Sequence, residues 1–236
     1  MFNSKIIIES FRRCKEPALL YSVFFLPSLL IPVQPRGTEF NNPRFLCFTF
    51  LTAILQGFLI IYILRSIGSR SLVQYGFVPF RAIHLLWGVI GFGFLILVLM
   101  GASFFVSLLP DTIQQPLTPP VRWIFTNYLW FPLLILSLGA SAFFEELFFR
   151  GYLFEELKSN GISSPASGFI TTLLFSLGHG TQGEAGILLA FVLGAVLLLL
   201  RIKTGSIWVT TLTHCLYNFT VLLIGTTLYK SLAPTV

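Results

Sequence analysis

The sequence predicts an all-α, polytopic integral membrane protein of about seven transmembrane helices, within a range of six to eight. Composition is the first reason: 55% of the 236 residues are hydrophobic, 10% are charged and 26 are phenylalanine. A water-soluble domain carries about 25% charged residues, so this surface cannot be mostly wetted. The second reason is spacing. Windows without Asp, Glu, Lys or Arg cover residues 17–35, 45–64, 82–110, 123–144, 159–183, 185–200 and 204–229. Six of them approach or exceed the roughly 18 apolar residues of a spanning helix, and the sixth in order does so if Arg201 snorkels. The third is the asymmetry of basic residues between alternate flanks: eleven Lys and Arg fall on one side and four on the other. By the positive-inside rule the N-terminus is cytoplasmic, and the net charge of +6 reflects topology, with no nucleic-acid partner required.

Taken in order, the basic N-terminus and first apolar window resemble a signal peptide, but no small-residue cleavage site follows, so an uncleaved first helix is expected. Loops are short, and the connection after the third helix, PDTIQQPLTPPVR, has four prolines and reads as extended. The three cysteines, Cys14, Cys47 and Cys215, are scattered, which argues against disulfides and a cysteine metal cluster. The chain reads as one membrane domain over 1–236. Residues 1–122 form scaffold helices whose one ionisable candidate is His84, and residues 123–230 form a polar-motif-bearing core. Between the fourth and fifth helices lies SNGISSPASG, with Gly161 as the break, Ser164 as N-cap and Pro165 as the first helical residue. Taking residue 162 as the turn centre, Glu145 lies 17 residues before it and His179 17 after it. In an antiparallel hairpin both then sit about 25 Å from the turn, inside the bilayer.

Four groups of residues carry chemistry. In SAFFEELFFRGYLFEEL (141–157), Glu146 and Arg150 are four apart and share a helix face, while Glu145 points about 100° away. One carboxylate is thereby neutralised and the other left free. Intramembrane ionisable groups are costly and read as functional, whereas Glu155 and Glu156, near the turn, read as solvated. Phe175 and His179 in FSLGH share a face, as do His214 and Asn218 in HCLYN. The small residues 139–142 allow close helix approach, for which packing alone is an adequate reason. Together these supply a carboxylate, a paired helper, two imidazoles and an amide, an inventory suited to hydrolysis. A Glu paired with a His can hold and deprotonate a water, and a His with an Asn amide can donate to an oxyanion. Alternatively Glu145, His179 and His214 could bind Zn²⁺ as a His₂Glu set with an open position, and the two designs stay open at this point. HExxH and GxSxG are absent, and the lone aspartate, Asp111, excludes a paired-aspartate design.

EELFFRG (145–151), FSLGH (175–179) and HCLYN (214–218), in this order on separate apolar helices, resemble the CPBP family: CAAX prenyl endopeptidases and bacteriocin-processing or immunity membrane proteins, also called Abi proteins. The family pattern is EExxxR, FxxxH and HxxxN or HxxxD, and the resemblance covers about residues 125–228. It implies an intramembrane endopeptidase, often labelled a metalloprotease, in the bacterial plasma membrane. Its partners would be the lipid bilayer and a membrane-associated protein or peptide substrate. It implies that Glu145 and His179 activate water, that Glu146 and Arg150 hold the site, that His214 and Asn218 form the oxyanion hole, and that Phe175 orients. The alternative is a non-proteolytic immunity or partner-binding protein.

Overall fold

The computed structural model describes residues 15–30, 37–66, 71–115 and 123–232. Lys5, Arg12, Arg13, Arg36, Arg70 and Arg122 of the charge asymmetry, Cys14, and the prolines at 116, 119 and 120 lie outside these residues. Among the described residues there is no strand; the chain is an all-α polytopic membrane protein. Its helices are α1 (Lys15–Leu30), α2 (Pro43–Ser66), α3 (Ala82–Ser107), α4 (Phe131–Glu146), α5 (Phe154–Ser159), α6 (Ser164–Leu177), α7 (Gly183–Thr204) and α8 (Ile207–Leu232). The seven residues Leu147–Leu153 between α4 and α5 are π-helical, so one continuous stretch, Tyr128–Ser159, runs through all three pieces. Five stretches are long and apolar enough to cross a bilayer: α2, α3, Tyr128–Ser159, Gly180–Thr204 and Ile207–Thr227. Large apolar side chains such as Phe48, Leu55, Phe58, Leu97 and Phe105 are exposed on them, as lipid-facing surfaces require.

α2 packs along α4, α8 packs against α3 and α4, and α6 with α7 forms a hairpin laid against the π segment and α5. Small residues set the closest approaches. A Cβ on Gly88 of α3 would lie 2.6 Å from Leu212 Cδ2, and one on Gly91 would lie 2.5 Å from Leu200 Cδ1. Thr213 Oγ1 of α8 donates to the Gly88 carbonyl at 3.0 Å across the contact that this space permits.

Four local expectations change. The N-cap of α6 is Ser163, whose hydroxyl accepts from Ala166 N at 3.4 Å, one residue earlier than expected; Gly161 supplies the break with φ +89°. α6 ends at Leu177, so His179 lies beyond the helix instead of within a long fifth span. Arg201 does not snorkel. It is buried, with Nε donating to the Arg150 carbonyl at 3.1 Å and Nη2 to the Gln74 carbonyl at 2.9 Å. Its guanidinium also reaches Glu155 at 3.4 Å, while Glu156 accepts from Tyr75 Oη at 2.8 Å, so neither acid is merely solvated. The reason is tertiary: the loop around the short 3₁₀ turn Leu72–Tyr75 folds over the π segment and presents bare carbonyls that a guanidinium fork satisfies.

α1 also does more than scaffold. Phe24 and Phe25 stack on Phe144, Phe148 and Phe149 at centroid distances of 4.8–6.0 Å. Glu16 accepts from Tyr152 Oη at 2.9 Å and Tyr21 Oη donates to the Leu174 carbonyl at 3.1 Å. α1 thus closes an aromatic wall over the polar part of the next helices.

Candidate active site

The site begins with a helix that changes pitch. α4 delivers Glu145 and Glu146 at its last residues, and the π segment immediately follows, a distortion that recurs at functional positions because it widens the turn and redirects side chains. Within it Gly151 admits the Tyr75 carbonyl, which would lie 3.0 Å from a Cβ at that position. The Arg150 carbonyl also accepts from Arg201 Nε at 3.1 Å.

Glu146 is fully buried and serves two partners through one oxygen. Its Oε1 accepts from Arg150 Nη1 at 3.0 Å and from His214 Nδ1 at 3.0 Å. Arg150, 1% exposed, also donates Nη2 to the Gly194 carbonyl at 3.2 Å and places its Cζ 4.2 Å from the Phe175 ring centroid. A buried guanidinium is tolerable only with such a set of ionic, carbonyl and π partners. Gly194 makes the approach possible, since a Cβ there would sit 3.1 Å from both Arg150 Nη2 and Phe175 Cδ1.

The two imidazoles are oriented by what holds their Nδ1. A carbonyl only accepts, so His179 Nδ1, 2.9 Å from the Phe175 carbonyl, carries a proton and the Nε2 of the neutral ring holds the lone pair. The same contact satisfies a carbonyl left open at the end of α6. His214 Nδ1 donates to the Glu146 carboxylate, which aims Nε2 at Glu145, where Oε2 lies 3.9 Å away. Phe175, fully buried, touches both rings, with centroids 4.8 Å from His179 and 5.8 Å from His214. Glu145, His214 and Arg150 all lie close enough to His179 to act on its charge.

Glu145 differs from its neighbour. Its side chain is 23% exposed, yet Oε2 is itself sequestered and makes no hydrogen bond with the described residues. A gap of 3.9 Å between a carboxylate oxygen and an imidazole nitrogen has the span that a bridging water fills. Asn218, half-buried one turn beyond His214 on α8, has an amide that makes no hydrogen bond with the described residues.

The structure thus gathers Glu145, Glu146, Arg150, Phe175, His179 and His214 around one point, with Asn218 on the same helix as His214. Sequence reasoning did not find Gly194 or Arg201. A glycine in the middle of the apolar stretch FVLGAVL was the only hint for the first. For the second, the arginine at the end of that stretch was read as interfacial. The arrangement does not fit the zinc alternative. No group of three or more His, Cys, Asp or Glu among the described residues is arranged to hold a metal ion, so a metalloprotease reading from Glu145, His179 and His214 is not supported.

No curated protein and no solved structure matches the chain. Residues 126–220 match the family model described as type II CAAX prenyl endopeptidase Rce1-like, a stretch that contains all seven site residues. The motif-bearing stretch 126–220, from the end of the connection after α3 into α8, is a domain of the Rce1-like type II CAAX prenyl endopeptidase type.

Proposed function

We propose that the protein is an intramembrane endopeptidase that hydrolyses peptide bonds of membrane-associated proteins or peptides with a water activated by Glu145 and His179. The observation that carries the reading is the sequestered, hydrogen-bond-free Oε2 of Glu145 facing His214 Nε2 at 3.9 Å, beside His179. A water held there donates one proton toward Glu145 and the other toward the His179 Nε2 lone pair. Its oxygen attacks the scissile carbonyl carbon, and Glu145 takes the proton as the C–O bond forms. The tetrahedral oxyanion accepts hydrogen bonds from the Asn218 amide and from His214 Nε2–H, while the His214 Nδ1–H goes on donating to the Glu146 carboxylate. The proton on Glu145 passes to the departing amine nitrogen as the C–N bond breaks. Glu146 and Arg150 are positioning residues that hold His214 through Nδ1.

The charge asymmetry supports a cytoplasmic N-terminus, and the family resemblance suggests a bacterial plasma membrane. Residues 1–122 act as scaffold and 123–230 as the catalytic core. Purified protein in lipid nanodiscs with a membrane-anchored fluorogenic peptide provides the test. Glu145→Gln and His179→Ala should each lower turnover by about 100-fold or more without a drop in unfolding temperature. Retained cleavage in either would overturn the mechanism, and a bacteriocin-protection phenotype that survives Glu145→Gln would favour the non-proteolytic alternative.

A further inference from the structure

α1 lies outside the family-matched stretch 126–220, yet one of its faces is turned toward the site. Leu20 is buried and Tyr21, Phe24 and Phe25 are half-buried, whereas Leu19, Val23 and Leu26 are exposed. Offsets of three and four residues place Tyr21, Phe24 and Phe25 on one side of the helix. That side meets both members of the water-activating pair. Phe24 lies edge-on to Phe144 with centroids 5.4 Å apart, and Phe25 stacks on the same ring at 6.0 Å and 8°. Phe144 is the residue before Glu145. On its other flank Phe25 Cδ1 is 3.4 Å from the point where Gly178 would carry a Cβ. Gly178 is the residue before His179. A single ring therefore bears on the chain neighbour of the carboxylate and on the chain neighbour of the imidazole.

Tyr21, one turn earlier, secures the second of these contacts. Its hydroxyl donates to the Leu174 carbonyl at 3.1 Å, which also accepts from Gly178 N at 3.2 Å. The next carbonyl, of Phe175, accepts from His179 Nδ1 at 2.9 Å. A helix end has carbonyls without intrahelical partners, so the last turn of α6 is held by groups brought to it from outside. α1 packs on the Gly180–Gln182 turn as well, and Glu16 accepts from Tyr152 Oη at 2.9 Å, which anchors α1 to the stretch carrying Glu145. Such a bridge has a task here, because α6 packs on α7, α5 and the π segment and has no extended contact with α4.

We infer that α1 is a positioning clamp: Phe25 and Tyr21 set the spacing between the Glu145 carboxylate and the His179 imidazole without touching the reacting atoms. Close-packed rings transmit displacement because few voids are left to absorb it. Misplacing a reacting group by about an ångström costs about 100-fold in rate, so a modest shift of the α6 end is enough to matter. The catalytic meaning of the spacing rests on the proposed hydrolysis, whereas the mechanical tie rests on the contacts alone.

The test uses full-length protein in lipid nanodiscs with ¹⁵N-labelled histidine. Tyr21→Phe removes only the hydroxyl, Phe25→Leu shortens the ring that spans the two contacts, and Val23→Ala on the exposed face is the comparison. The first readout needs no turnover. Loss of one hydrogen bond at the α6 end should speed proton exchange at His179 Nδ1 by about three- to ten-fold in Tyr21→Phe. Exchange at His214 Nδ1, held by Glu146, should stay as in wild type and so reports that the fold is intact. The second readout is cleavage of the membrane-anchored peptide. Phe25→Leu should lower kcat at least about ten-fold with KM little changed. Placed in a His179→Ala background, it should lower the residual rate by less than about two-fold, because residues that act through one another are not additive. Val23→Ala should change neither readout. Unchanged His179 exchange in both variants, equal acceleration at His179 and His214, or full additivity with His179→Ala would overturn the clamp. Selective His179 exchange in a protein that cleaves nothing refutes the proposed hydrolysis and keeps the tie, while wild-type cleavage and exchange in both variants refutes the clamp and keeps the hydrolysis.

Discussion

Adjacent carboxylates of the same chemistry should respond oppositely to the same substitution. In Glu146→Gln the side chain keeps one acceptor oxygen of nearly the same shape, so the contacts from Arg150 Nη1 and His214 Nδ1, each 3.0 Å, can persist as hydrogen bonds to a neutral acceptor. What is lost is the negative charge that compensates a guanidinium 1% exposed. Removing one partner of a buried ion pair costs about 3–5 kcal/mol, and retention of the hydrogen bonds places Glu146→Gln at about 3 kcal/mol, the lower end. For a domain of this size that loss lowers Tm by roughly 6–12 °C. Glu145→Gln removes no ion pair at hydrogen-bonding distance and converts a sequestered, unpaired carboxylate oxygen to a neutral one, so Tm should hold or rise. Its cost appears in chemistry: loss of a general base lowers turnover by about 10²–10⁴-fold. Thermal unfolding in nanodiscs and single-turnover cleavage, run side by side, separate the two. Glu145→Gln unfolding at a lower temperature than Glu146→Gln would refute the division of labour drawn from the site.

Gly194→Ala places a methyl 3.1 Å from Arg150 Nη2 and Phe175 Cδ1; because an ångström of misplacement can cost about 100-fold, turnover should fall at least ten-fold with KM little changed. Arg201→Gln should destabilise by about 2–3 kcal/mol by leaving the Arg150 and Gln74 carbonyls short of a charged donor, measured as a lower unfolding midpoint. Asn218→Ala should reduce kcat by about 10²–10³-fold at unchanged Tm, since an amide with no partner among the described residues adds nothing to the resting fold. Phe175→Ala should cost about 3–5 kcal/mol as a fully buried ring is deleted, with the added loss of its contact to the Arg150 guanidinium.

Much of this site could be read from spacing, because helical periodicity translates sequence offsets into faces and depths. The four-residue offset of Glu146 and Arg150 gave their pairing, and equal distances from the turn brought Glu145 and His179 to one level. Five of the seven hydrophobic windows located stretches long enough to span, because the bilayer demands long uniform apolar runs. What stayed hidden was set by packing between distant segments. LFFRGYL carries no local signal for π geometry, which follows from the Tyr75 carbonyl pressing on Gly151 and from Arg201 taking the Arg150 carbonyl. The early end of α6 was masked because SLGHGTQG lacks charge and so counted as apolar span, although its glycines break the helix. That His214 shares Glu146 with Arg150 needed α8 placed against α4, a contact between residues 68 apart.

The Glu146–Arg150 contact lies within one helical stretch, and this has a consequence for biosynthesis. His214 is made long after Arg150, so while α4 leaves the translocation machinery its buried acid cannot yet lean on α8. The intrahelical bridge at 3.0 Å forms as soon as that turn does, and it reduces the segment's net burden in lipid to the single charge of Glu145. The segment can therefore enter the bilayer early and wait. The arrival of α8 then supplies His214 to a carboxylate already fixed in place, so the order of synthesis along the chain is also the order in which the site is assembled.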